Sequence, residues 1–200
     1  MSCIRRLTGD ITIQCETAFG GTGDKMALYN FDEWRANTTK TLDSNFDEGM
    51  VYSSVVNGEN IKAHLIEGKN DSIGATEETT QGIFQIATHT IVFLGANFGA
   101  VALGRIQQML RGKFVAVYES NQRFYVAGED SGLEATVSRD TNAENAGAYT
   151  VTLTSAKEGK LQKQLAIYVD NAGELEYDPA QTRALFESLL VAGQAVAPTT

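Results

Sequence analysis

Apolar and polar residues alternate with a period of two along most of this chain, and that period predicts strands. "DITIQC" (10–15) alternates and predicts a first strand, followed by the glycine-rich turn "CETAFGGTGDK". "KMALYNFDEW" (25–34) predicts a second, with Met26, Leu28 and Asn30 on one face and Ala27, Tyr29 and Phe31 on the other. Residues 35–49 and 68–81 are polar without a clear period and read as loops. Between them, 50–66 carries apolar runs on both sides of Asn57-Gly58. That dipeptide is the strongest short hairpin signal, because a type I′ turn needs positive φ at both central residues. "GIFQIATHTIVFL" (82–94) is rich in β-branched and aromatic residues and predicts a long strand.

The period then changes to helical. In "NFGAVALGRIQQMLRG", Phe98, Val101, Ala102, Ile106, Met109 and Leu110 fall on one helix face, behind Asn97 as N-cap. Strands return at 113–118, 123–127, 132–138 and 148–155, with a turn near Ser120-Asn121. Two more are expected in 161–169 and 174–177, joined at Asn171–Gly173. Asp178-Pro179 then opens a second helix, with Asp as N-cap and Pro at the first helical position. This order predicts a mainly β fold: a β-sandwich or barrel with one packed helix (about 97–111), a long β-hairpin arm (about 50–66) and a C-terminal strand–helix extension. The expected division is a domain over 1–155, with an insert at 35–81, and an extension over 156–200. That extension packs on the same domain or on a neighbouring subunit.

Length and composition agree with this picture and narrow the chemistry. A chain of 200 residues with 42% hydrophobic positions can bury a core without staples. The net charge of −9 makes it a poor grip for phosphate backbones, which are neutralised by Lys and Arg. Arg5 and Arg6 are followed by no apolar segment of signal-peptide type, and the run Ile91 to Leu94 is far short of the roughly 20 residues that span a bilayer. The expectation is a protein made in the cytoplasm with no membrane partner.

Catalytic and metal-binding candidates are few. Cys3 and Cys15 make neither a disulfide framework nor a zinc site. His89, in "IATHTIV", is a lone strand histidine, and such residues are more often structural than catalytic. "GGTGDK" (20–25) lacks phosphate-loop spacing, and a strand rather than a helix follows it. "NDSIGATEE" and "DTNAENAG" lack the order of a calcium loop. Trp34 and the scattered tyrosines come with no basic stripe for stacking nucleic acid bases. The reading is a protein that is not an enzyme, with no catalytic residue, no cofactor and no metal.

"CETAFGG", then "GRIQQMLRGKFVAVYESNQRFYVAGEDSGLEATVS", then "AYTVTLTS" carry a resemblance. The residues involved are Cys15, Gly20 and Gly21; Val115 to Val117 with Glu119 and Asn121; Phe124 and Tyr125; Gly128, Asp130, Gly132, Leu133 and Glu134; and Tyr149 to Thr154. In this order they resemble small virion proteins of tailed bacteriophages, of the type found in Bacteroidetes phages. The resemblance covers about the first 34 residues and 82–155. It implies a tail-tube-like β-sandwich, assembled as stacked and usually hexameric rings around a DNA channel. The partners it implies are copies of the chain and neighbouring tail proteins, with DNA only as non-binding cargo in an acidic lumen. The inserts 35–81 and 156–200 depart from the family pattern and leave tube subunit, short-tail ring and terminator open.

Within that reading Val51, Tyr52, Val55, Val56, Ile61 and Leu65, on the arms of the 50–66 hairpin, are the candidate inter-subunit contacts. The competing expectation is that these are ordinary core strands. A capsid decoration or receptor-binding β-domain is the rival function. A ligand-binding β-barrel follows, and it would need a concave apolar site with convergent polar groups.

Overall fold

The computed structural model of the chain describes residues 11–12, 25–67, 73–80, 86–95, 100–120, 122–139 and 149–193. Its hub is strand β8 (Lys113–Ser120). Along one edge β8 pairs antiparallel with β2 (Lys25–Asn30), which continues to β5 (His64–Glu67) and then, in parallel, to the two-residue β1 (Ile11–Thr12). The second half of β8 pairs with β9 (Arg123–Ala127). From β9 the sheet runs through β12 (Lys163–Leu165) and β4 (Val51–Asn57) to β3 (Thr38–Leu42). At the start of β8, Lys113 and Phe114 pair instead with Glu134 and Leu133 of β10 (Leu133–Arg139). Through β10 the ladder reaches β11 (Tyr149–Glu158), β7 (Ile86–Gly95) and β6 (Ile73–Thr80).

The sheet therefore turns a corner at β8, and its two wings face each other as a sandwich. Met26, Leu28, Phe114 and Ala116 of one wing share a core with Ile91, Phe93, Val151 and Leu153 of the other. Helix α2 (Ala100–Met109) adds Ile106 and Met109 to that core. The opposite face of the β2–β8–β9 wing is covered by α1 (Phe31–Asn37) and α3 (Pro179–Ser188). There Trp34, Phe186 and Leu189 pack against Tyr29, Val115, Val117 and Val126. β8 is thus apolar on both faces, which explains why "FVAVY" reads as a run rather than an alternation. Each fully buried Val or Phe there contributes about 1.5–3 kcal/mol of transfer free energy.

The expected β-rich fold with a packed helix is present, and α3 starts as expected. Asp178 accepts from the backbone N–H of Gln181 at 2.9 Å and Pro179 occupies the first turn. This bond holds the exposed Asp178 carboxyl below the usual carboxylate range. Asn97, Cys3, Cys15, Gly20 and Gly21 lie outside the described residues, as do most of 10–15 and the start of the 82–94 strand.

Three sequence expectations are corrected. The 50–66 hairpin arm does not exist, because β4 pairs with β3 and β12 while β5 pairs with β2 and β1. Asn57-Gly58 serves a long-range contact rather than a turn. The Asn57 side chain donates to the carbonyls of Leu189 and Val191 at 2.9 and 2.8 Å and accepts from the Tyr29 hydroxyl at 2.6 Å. A Cβ at position 58 would lie 2.4 Å from the Asn37 carbonyl oxygen, so the glycine is there for close approach. The second correction is that residues 31–34 belong to α1 and not to a strand. The third concerns the polar segments 35–49 and 68–81, read as loops. They hold β3 and β6, whose outer residues face solvent and so show no apolar period.

Candidate functional site

Among the described residues a dense polar cluster lies where the sheet turns its corner. β9 ends at Ala127 and β10 begins at Leu133, and the link between them is "GEDSG". Gly128 and Gly132 have φ of 79° and 80°, a region that suits glycine. A Cβ on Gly128 would come within 2.5 Å of Leu133, so the turn is tight as well as left-handed.

The turn wraps a buried carboxylate. Glu158, 2% exposed, sits just past a register shift in β11 that aims it into the corner. Its oxygens accept from the backbone N–H of Asp130 at 2.8 Å and of Ser131 at 3.2 Å. They also accept from the hydroxyls of Ser131, at 2.9 Å, and of Ser155. Asp130 in turn accepts from the backbone N–H of Gly159 at 3.0 Å. Four donors on one carboxylate offset much of its desolvation cost.

Beside it, His89 of β7 is 2% exposed. Its Nδ1 accepts from the backbone N–H of Gly128 at 3.2 Å, which places the ring proton on Nε2. Nε2 lies 3.1 Å from Glu77 Oε1, too oblique for a hydrogen bond. Glu77 also accepts from the backbone N–H of Gln162 at 2.6 Å, and the Gln162 side chain accepts from the Tyr118 hydroxyl. On the other side of the turn, Lys163 contacts Glu129 at 2.6 Å and the Tyr52 hydroxyl at 2.8 Å, while Tyr52 also donates to Glu129. Burial, and then the hydrogen bond to Glu129, raises the Tyr52 phenol far above its ordinary value. Burial does the same to Tyr118 and Tyr29.

This arrangement ties the corner together. Both serine hydroxyls are bound to Glu158, and His89 faces Gly128 and Glu77 rather than a hydroxyl. Among the described residues no cluster of His, Cys, Asp and Glu is arranged to hold a metal ion, and no helix is long and apolar enough to cross a membrane. The corner residues were not singled out as a cluster by the sequence. Ser131, Ser155 and Glu158 have no motif spacing, and the antiparallel pairing of β10 with β11 brings them together.

The six candidate contact residues do not form one surface. Val51, Tyr52 and Val55 are buried, the latter two in the core beneath α3. Val56 is 57% exposed. Ile61 and Leu65 are half-buried, with Ile61 packed against the core beneath α3.

A different segment stands out from the body. β13 (Tyr168–Asn171) and β14 (Glu174–Tyr177) form a separate two-stranded sheet, so the strand expected over 161–169 is in fact two. Ala172 and Gly173, with φ of 56° and 91°, make the two-residue turn expected at Asn171–Gly173. Residues 170–176 are exposed without exception, so the hairpin shows both faces to solvent. Its base is pinned by rings: Tyr168 lies 4.6 Å from Phe46 and 5.7 Å from Tyr177, and Arg123 caps Tyr177 at 5.3 Å.

No family model, no curated protein and no solved structure matches the chain.

Proposed function

We propose that the chain is a structural subunit that assembles with copies of itself, as a ring or tube subunit of a bacteriophage tail. The observation that carries this reading is the disposition of strand edges. Among the described residues of the main sheet β3, β6 and the two-residue β1 pair on one side only, and β3 and β6 end the longest path through a sheet whose middle is buried on both faces. Along Thr38–Leu42 and 74–80 the outer backbone donors and acceptors of this sheet are taken up by no other described strand. An isolated protein must protect rows of that kind, and a ring can use them. Lys40 on β3 and Glu77 and Glu78 on β6 are charges that discourage pairing with a wrong partner.

The motifs that resemble tail proteins fit a structural role. Val115 to Val117 form the doubly buried centre of β8, and Gly128, Asp130, Gly132 and Leu133 make the corner. They are residues that build the sheet. Light scattering together with electron micrographs of the purified full chain tests the reading. Rings or tubes are the expected result. A chain that stays monomeric at high concentration, and is missing from virions, overturns it.

A further inference from the structure

The β13–β14 hairpin and the groove at the start of β8 lie at opposite ends of the same strand. Tyr177 of the hairpin donates to the Gln122 carbonyl at 2.7 Å, which fixes the hairpin beside the β8–β9 turn. The groove, about 410 Å³, opens at the other end, and its lining includes Phe31, Asp32, Leu110, Arg111, Lys113 and Glu134. Eight residues of β8 separate the two, roughly 25 Å at a rise of about 3.3 Å per residue.

The two sites are complementary in kind. The hairpin tip is acidic, with Asp170, Glu174 and Glu176, and presents Leu175 at 44% exposure. The groove presents Leu110 at 42% exposure beside Arg111. A second hollow of about 230 Å³ adjoins it and adds Lys157. Together the hollows carry Arg111, Lys113 and Lys157 against Asp32 and Glu134, and Glu134 is already paired with Lys113 at 3.0 Å. Across the two hollows this leaves a single positive charge in excess, with Arg111 exposed, on a chain of net charge −9.

A two-stranded hairpin is at best marginally stable alone in water, and this one has both faces wet beyond its aromatic base. A partner surface would supply the missing burial. We propose that the tip of this hairpin seats in the groove of a second copy of the chain, Leu175 against Leu110 and Glu174 against Arg111. The inference rests on the self-assembly reading and adds its contact surface. Because knob and hole sit at opposite ends of one strand, a subunit cannot fill its own groove. The contact is head-to-tail, and repeated contacts of that kind close into rings or extend into filaments.

The test uses sedimentation of the full chain and four variants: Leu175→Asp, Glu174→Arg, Arg111→Glu, and the double exchange Glu174→Arg with Arg111→Glu. All three positions are exposed, so thermal unfolding of the free subunit checks that each variant still folds. Leu175→Asp and each single charge reversal are expected to raise the dissociation constant about tenfold or more. The double exchange is expected to recover most of that loss, which a general loss of solubility or stability would not do. Variants that assemble like the parent chain, or a double exchange no better than either single one, overturn the docking site while leaving self-assembly in place. A parent chain that is monomeric throughout overturns both.

Discussion

Two strand segments of this protein are two-sided in opposite senses. β8 is buried on both faces, between the sandwich core and the layer of α1 and α3. The β13–β14 hairpin is exposed on both faces along residues 170–176. In the first case burial explains the sequence completely: Phe114, Val115, Ala116 and Val117 are each fully buried and apolar. In the second, Leu175 is 44% exposed, and the described core does not cover it. The difference separates residues that build the subunit from residues its described core does not use, and the proposed docking draws on the second set.

The largest effect is expected at the buried strand. Phe114→Ala should cost about 3–5 kcal/mol, read as a lower urea midpoint, because it empties a site shared by both wings. Next comes the corner. Glu158→Ala strips the partner from two backbone N–H groups and two hydroxyls, and should cost about 2–3 kcal/mol with secondary structure retained by circular dichroism. A Glu158→Ala protein as stable as the parent would show that the corner is held by its glycines and apolar neighbours alone.

The buried phenols give a pH prediction of intermediate size. Tyr29, Tyr52 and Tyr118 have folded values raised well above the ordinary 10.0, chiefly by burial. A raised folded value means that stability is fully present below pH 10 and is lost as pH rises above it, since only the unfolded chain ionises these groups there. Tyrosinate absorbance should therefore appear in part together with unfolding, and Tyr52→Phe should make that part smaller. At the small end, Leu175→Asp should change the stability of the free subunit by less than about 0.5 kcal/mol. A large loss there would erase the contrast between the two segments.

The sequence carried the buried strand and the turns well, for physical reasons that can be named. Continuous apolar runs, glycines at positive φ and the Asp178-Pro179 cap are local signals with local causes. Edge strands β3 and β6 were illegible because "TTKTL" and "ATEETT" bury little, so no period appears. Asn57-Gly58 misled for the opposite reason. Its local signal is strong, but the Asn57 amide is spent on carbonyls more than 130 residues away and the glycine on approach to Asn37. The corner was hidden because Ser131 meets Ser155 and Glu158 only once β10 has paired with β11. The chain carries one hairpin signal, at 50–66, that the structure does not use, and another, joined at Asn171–Gly173, that it does.

Amide hydrogen exchange of the full chain across a concentration series tests the central claim most directly, by following residues 168–177 against residues 113–120 in the same sample. As the protein assembles, the hairpin amides should gain protection while those of β8, already buried, stay unchanged. Hairpin amides that exchange equally fast at every concentration, in a sample shown by its mass to be assembled, would contradict the account.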